Sequence, residues 1–323
     1  MDTANAPPHD ARTPISSYIK LIGRGKDGAR SLSADQAHEL FGAVLDKSAN
    51  DLQIGAFLLA MRVKGETNDE LLGFVRASEE RCLPIDLAKQ ARPAVVLPSH
   101  NGARKLPNFT ALLAALLARE GVPVLVHGPR TDPGRVTTAQ VFEALDWPLA
   151  ASAADAQQAW SAQRPAFMPI DVLCPAMSAL LDVRWTIGLR GPGHTVVKLM
   201  SPCVGGRSLR VVSYTHPEYG KGNAEYLQHA GVDGLLLRGT EGEPVADPRR
   251  QPKLDVFLAG QQRDDLSVAP QEGVLATLPE LPDGYAADTT AGFIQAILRG
   301  DQAAPAPLLK QLDCVLKTLD AMR

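Results

Sequence analysis

Two consecutive strand–loop–helix units between Val95 and Asp146 constrain this chain more than any other stretch. They read VVLPSHNGARKLPNFTALLAALLAREGVPVLVHGPRTDPGRVTTAQVFEALD: an apolar strand, a polar loop, a long apolar helix, a second strand ending at His127 and Gly128, another polar loop and a second helix. Uninterrupted apolar strands that alternate with helices belong to a mainly parallel sheet covered on both faces. A loop joining such a strand to a helix N-terminus is a ready anion seat, because unpaired N–H groups and the helix dipole both favour negative charge there. What fills these two loops decides the function.

The rest of the chain narrows the class. At 323 residues it exceeds the usual single-domain size, so a large domain with a smaller partner is expected. A net charge of −3 gives no whole-chain sign of affinity for nucleic acid, although a local patch is compatible with it. Cys82, Cys174, Cys203 and Cys314 form no CxxC pair, which argues against a zinc ribbon or a disulfide scaffold. Pro7, Pro8, Asp10 and Arg12 interrupt the place where a secretory signal would lie, and no apolar run approaches membrane length. A cytoplasmic protein without a membrane span is the expectation.

Residues 1–13 read as a flexible leader and 14–84 as a helical domain. A short helix is expected from Pro14 through Ile22, then an inter-helix loop, Gly23 to Arg30, in which no preceding strand supports a phosphate loop. Ser31 or Ser33 caps a helix carrying Leu40, Phe41, Val44 and Leu45; Ile54, Phe57, Leu58 and Met61 mark the buried side of the next; Thr67 and Glu70 form a capping box for a third. Pro84 and Pro93 mark the hinge to an α/β domain over 94–323. Within that domain, Ala151 to Gln163 reads as a surface helix with a lone Trp160, Gly222 to His229 as a helix, and Thr289 to Arg299 and Pro307 to Leu319 as closing amphipathic helices.

The segment IGAFLLAMRVKGET followed by DELLGFVRA resembles the N-terminal helical domain of anthranilate phosphoribosyltransferases and pyrimidine nucleoside phosphorylases. The resemblance returns through most of the chain. It implies a small helical domain that serves as a dimerisation surface, a large α/β domain with a mixed, mainly parallel sheet, and a stretch of about 172–192 that packs back on the helical domain. The family's glycine-rich pyrophosphate loop corresponds here to Leu97-Pro98-Ser99-His100-Asn101-Gly102, which keeps a single glycine. Its second phosphate loop becomes Val126-His127-Gly128-Pro129-Arg130-Thr131, without the lysine, the asparagine and most of the hydroxyls. The acidic pair that holds magnesium in the family falls on Pro244 and Val245. Glu241 and Glu243 could recruit a cation, but hard cations need several oxygen ligands and no second acidic cluster lies near in sequence. Arg190 matches the arginine that contacts the aromatic acceptor in the anthranilate enzymes; an anion contact and a structural salt bridge are both open for it.

Three losses at one site argue against phosphoribosyl transfer, whose chemistry depends on positioning and charge neutralisation. The words RGTEGE at Arg238 to Glu243 and His194-Thr195, with the missing glycine motif, resemble one branch, the YbiB-type paralogues of anthranilate phosphoribosyltransferase. That resemblance implies a DNA-binding dimer. Charge distribution points the same way. No acidic residue occurs from Leu87 to Arg119, a window holding Lys89, Arg92, Arg104, Lys105 and Arg119, or from Val183 to Pro217, holding Arg184, Arg190, Lys198, Arg207 and Arg210. Arg249, Arg250 and Lys253 read as a solvated turn. The expectation is a non-enzymatic homodimer that binds DNA or RNA with little sequence selectivity and without a cofactor. Its candidate anion contacts are Arg104, Lys105, His127, Arg130, Arg135, Arg190, His194, Lys198 and Arg207. A glycosyltransferase of altered substrate and a protein-interaction module are the alternatives.

Overall fold

A computed structural model describes residues 14–273 and 279–322; the expected leader lies outside the described residues. The described residues begin with five helices, α1 (Ile15–Ile22), α2 (Gly25–Gly28), α3 (Ala34–Leu45), α4 (Asp51–Lys64) and α5 (Asn68–Glu79). Ser33, Asn50 and Thr67 each close a reciprocal capping box with the glutamine or glutamate three residues on, which satisfies N–H groups that the helix cannot. Glu70 does more than cap: its buried carboxylate also takes the Leu32 N–H at 2.9 Å and the Lys64 Nζ at 2.6 Å. α3 and α5 lie so close that a Cβ on Gly73 would sit 2.2 Å from the Ala34 carbonyl oxygen. Phe41, Phe57 and Phe74 pack edge-on and stacked between α3, α4 and α5. The segment expected as a loop after α1 contains the one-turn α2.

The α/β part follows as β1 (Ile85–Asp86), β2 (Ala94–Pro98), α6 (Thr110–Arg119), β3 (Val124–Gly128), α7 (Thr138–Ala144), α8 (Ala153–Ser161), β4 (Ala166–Pro169), α9 (Ile170–Leu173), α10 (Pro175–Ile187) and α11 (Gly193–Val196). It continues with β5 (Cys203–Val204), β6 (Ser208–Tyr214), α12 (Pro217–His229), β7 (Gly234–Arg238), β8 (Leu254–Leu258), β9 (Gln261–Gln262), α13 (Ala287–Arg299) and α14 (Ala306–Ala321). The main sheet has the order β4-β3-β2-β6-β7-β8-β9, parallel from β4 to β7 and antiparallel at β8 and β9. Side chains partition by alternation. Leu209, Val211, Leu235 and Leu237 enter the core shared with α6, α7, α13 and α14, whereas Val212 and Leu236 enter the core shared with α12 and the helical domain.

β1 and β5 form a separate parallel pair at the hinge. There Leu83 N–H donates to the Leu173 carbonyl at 2.7 Å, and Glu79 receives Ser201 N–H at 2.7 Å and lies 3.2 Å from Arg210 Nη2. α10 packs on α3, and α11 on α5. Two readings change. Trp160 is buried and donates to the Val124 carbonyl at 2.8 Å, so α8 is a covering helix of β3 and β4 with an anchored aromatic. α12 begins at Pro217 rather than Gly222: Pro217 takes the first helical position, where a missing N–H costs nothing, and Gly220 lies directly against the Tyr214 ring. Among the described residues no helix is long and apolar enough to cross a membrane.

Candidate anion-binding cleft

Strand order reverses between β2 and β6: the chain runs outward through β3 and β4 on one side, then through β7 on the other. In open α/β sheets that reversal leaves a crevice at the carboxyl ends of the strands. The loops after Pro98, Tyr214 and Arg238 surround it here, and a cleft of about 1210 Å³ opens there. Arg104, Lys105, Arg135, Arg190, Arg238 and Arg250 line it, and none has a carboxylate partner among the described residues. Its acidic residues are engaged. Asp247 pairs with Arg249 at 2.9 Å, Asp255 with Lys253 at 2.8 Å, and Glu241 accepts backbone N–H groups. Two smaller clefts adjoin it through Arg190 and Asn101. One carries Arg62, His194, Lys198, His216 and Tyr219, the other Arg130, Arg184, His194 and Lys198.

The floor is built differently from the walls. Glu243, 2% exposed, points into the loop after β2. Its Oε1 accepts the backbone N–H of Asn101 and of Gly102, each at 2.7 Å. Its Oε2 accepts from Ser99, from Thr110 at 3.3 Å and from Thr138 at 3.5 Å. Two residues earlier, Glu241 Oε2 receives the N–H groups of Arg104, Lys105 and Leu106 at 2.7, 3.0 and 3.3 Å. Burial raises the Glu241 carboxyl, but those three N–H groups outweigh it and hold the group below its ordinary range. Glu241 accepts a left-handed backbone, φ 52, to reach them. Gly242, φ 87, has Asn101 Nδ2 where a Cβ would go, 1.8 Å away.

Both oxygens of Glu243 and one oxygen of Glu241 are therefore taken by hydrogen-bond donors. A magnesium site needs a cluster of oxygen ligands, and no group of three His, Cys, Asp or Glu side chains suited to a metal occurs among the described residues. The donors that converge on Glu243 and on Glu241 Oε2 do not fit the magnesium site that the resemblance implies.

Of the sequence candidates, Arg104, Lys105, Arg135 and Arg190 come together on the large cleft, and Lys198 and His194 on the adjoining ones. Arg130 lines the smaller of the two adjoining clefts and is bound to Asp171 at 3.1 Å. His127 is fully enclosed under His100, with His100 Nε2 at 3.0 Å from its Nδ1, and burial lowers it to about 4, so it presents no charge to a ligand. Arg207 lies away from the cleft at the start of β6, held by Asp233 at 2.8 Å and by the Met322 carbonyl at 2.6 Å. The acid-free windows split in the same way. Arg92 and Arg210 pair with Asp320 and Glu79, and Arg119 donates to the Leu298 carbonyl. Burial lowers Lys198 to about 8 and His194 to about 4.

Arg238, Arg250, Arg62 and the aromatic rings of Tyr214, His216 and Tyr219 were not among the candidates. Arg238 carried a usable signal, since it ends the strand GLLLR. Arg250 did not: the path of residues 247–253 along the cleft is set by pairing of β8 with β7.

Residues 16–82 match the family described as "Glycosyl transferase family, helical bundle domain". The chain is 37% identical over 298 residues to the uncharacterized protein YbiB of Escherichia coli (strain K12), covering 92% of both chains. It is 28% identical over 298 residues to the anthranilate phosphoribosyltransferase of Paramagnetospirillum magneticum, covering 91% of this chain and 84% of that protein. The crystal structure of anthranilate phosphoribosyltransferase from Thermus thermophilus superposes with a TM-score of 0.70 at 21% identity, over 95% of this chain and 88% of that one. The Saccharomyces cerevisiae enzyme in complex with PRPP and Mg gives 0.67 at 14%, over 95% and 93%.

Proposed function

Because the chain belongs to the YbiB-type paralogues within the anthranilate phosphoribosyltransferase family, we propose that it binds the phosphate backbone of DNA or RNA in the strand-end cleft, with little regard to sequence and without catalysis. One observation carries this reading: six arginines and lysines without carboxylate partners line one cleft while every acidic side chain that shares it is turned to an internal partner. An electrostatic surface of that kind attracts polyanions in proportion to the phosphates it meets. The backbone donors and hydroxyls of the cleft floor are occupied by Glu241 and Glu243, which removes the positioning that phosphoribosyl transfer requires.

The partner arrangement is a homodimer through the helical domain. On α4, Leu52, Leu59 and Val63 recur on one side of the helix and are 85%, 52% and 58% exposed. A second copy of the chain would cover that stripe, and Leu59→Asp should turn a dimer into a monomer in sedimentation velocity; an unchanged sedimentation coefficient excludes this face. The binding itself is tested by gel shift with unrelated DNA and RNA sequences across a salt series. Similar affinities that fall steeply with salt are expected. Undetectable or salt-independent binding refutes the proposal.

A further inference from the structure

We infer that Glu243 is a built-in anion that fills the phosphate seat of this cleft, so that the floor refuses small phosphate ligands and the walls alone meet the phosphates of a polymer. The inference rests on the proposed nucleic-acid reading only for the ligand left to the walls.

The seat is assembled from one loop and two helix starts: backbone N–H groups of Asn101 and Gly102, and hydroxyls of Ser99, Thr110 and Thr138. Asn108 Nδ2 donates to Thr138 Oγ1 at 2.8 Å, which leaves the hydroxyl proton free to point inward. Such a convergence of donors at a strand end is an anion site by construction. The anion found in it is the protein's own.

The loop that delivers the carboxylate is fastened on every side. Gly242 carbonyl oxygen accepts from Ser213 Oγ at 2.7 Å and Lys198 Nζ at 3.1 Å. Asn101 Nδ2 donates to the Glu241 carbonyl at 2.9 Å, and Glu243 N–H to the Thr240 carbonyl at 2.9 Å. Behind the loop, Gln311 on α14 takes Ala246 N–H at 2.7 Å and donates to the Pro244 carbonyl at 3.1 Å. A free phosphate thus competes against a tethered group that is already in position and loses no further ordering entropy. Glu241 fills the second, shallower nest of N–H groups in the same manner. The cations stand outside both nests, on the rim, where a long polyanion reaches them.

The test titrates inorganic pyrophosphate, without metal, into the wild type, Glu243→Ala and Glu243→Gln, followed by calorimetry and by thermal midpoint. Wild type should give no saturable heat and no shift of its midpoint at ~10 mM pyrophosphate, whereas Glu243→Ala should bind at least about tenfold more tightly and melt several degrees higher with the ligand than without. Glu243→Gln should stay closed, because its amide oxygen keeps both N–H groups and its NH₂ meets the hydroxyl oxygens. DNA affinity of all three should agree within about twofold, since residue 243 is no part of the wall. The midpoint readout serves even a weakened Ala variant, because a ligand of the folded state alone raises it. Saturable pyrophosphate binding by wild type overturns the inference, as does a Glu243→Ala protein whose heat and midpoint are both indifferent to pyrophosphate. Loss of DNA binding in the wild type would instead overturn the proposed function and leave the pyrophosphate result standing.

Discussion

Replacing Arg104 and Lys105 together by alanine removes two of the six cleft cations that lack a carboxylate partner, Arg104, Lys105, Arg135, Arg190, Arg238 and Arg250. Each cation that meets a phosphate releases a condensed counterion and adds ~0.9 to the slope of log affinity against log salt for duplex DNA, or ~0.7 for a single strand. Six such contacts give a slope of about −4.2 to −5.4, equivalent to a loss of roughly 300- to 2,000-fold in affinity between about 50 and 200 mM salt. The double variant should flatten that slope by about 1.4 to 1.8 and weaken binding at low salt by roughly tenfold or more. Folding should survive. Both side chains are exposed, and the bonds to Glu241 come from their backbone N–H groups, which alanine retains. The assay is fluorescence anisotropy with two oligonucleotides of unrelated sequence over a salt series. Lys89→Ala/Lys310→Ala serves as the control, since both lysines are exposed and line none of the three clefts. An unchanged slope in the Arg104→Ala/Lys105→Ala protein, or equal flattening in the control, shows that the cleft is not where phosphates are met and refutes the reasoning.

Other outcomes follow from the same geometry. Gly242→Ala should lower the midpoint of thermal unfolding by an amount worth about 2–4 kcal/mol, since its Cβ meets Asn101 Nδ2 at 1.8 Å in a left-handed backbone, and both conflicts must be relieved at the loop that seats Glu243. Gly73→Ala should be at least as damaging, because the Cβ would meet backbone, the Ala34 carbonyl at 2.2 Å, and force α3 and α5 apart; a midpoint within about 2 °C of wild type contradicts this. His127, fully buried and lowered to about 4, is protonated from about pH 6.5 downward in the unfolded chain but only near 4 in the folded one. The unfolded state therefore binds more protons in that window, and stability should fall as pH drops from about 6.5 to 4, by up to ~3 kcal/mol from this residue. Urea unfolding of wild type and His127→Asn across that pH window reads the contribution, and parallel pH dependences of the two proteins would contradict it. Lys198, lowered to about 8 by burial, should lose its charge as pH rises through 8, so nucleic-acid affinity declines across that window, and Lys198→Met should remove the inflection.

The chain's sequence determined the covalent pattern that makes this fold. Apolar runs such as VVLP and VLVHG can only be central parallel strands, and the serine or threonine caps at Ser33, Thr67 and Thr137 start helices where local hydrogen bonding favours them. The eroded glycine loop and the missing acidic pair were also legible, because their register is local to a strand end. Periodicity placed α3 and α5, yet nothing local announces that Gly73 must accommodate a neighbouring backbone. Tertiary structure alone decided which charges face the cleft. Arg207 and Arg210 lie three residues apart at one strand, and both are consumed by Asp233 and Glu79, residues distant in sequence. Charge counted along a chain cannot register partners brought in by folding. The same holds for Glu243. In sequence it is an acidic residue near a lost metal motif and suggests a cation; in the fold it closes bonds to residues more than one hundred positions away, all of them donors. A carboxylate attracts whatever surrounds it, and only the packing of β2, β6 and β7 determined that it is surrounded by N–H and O–H groups.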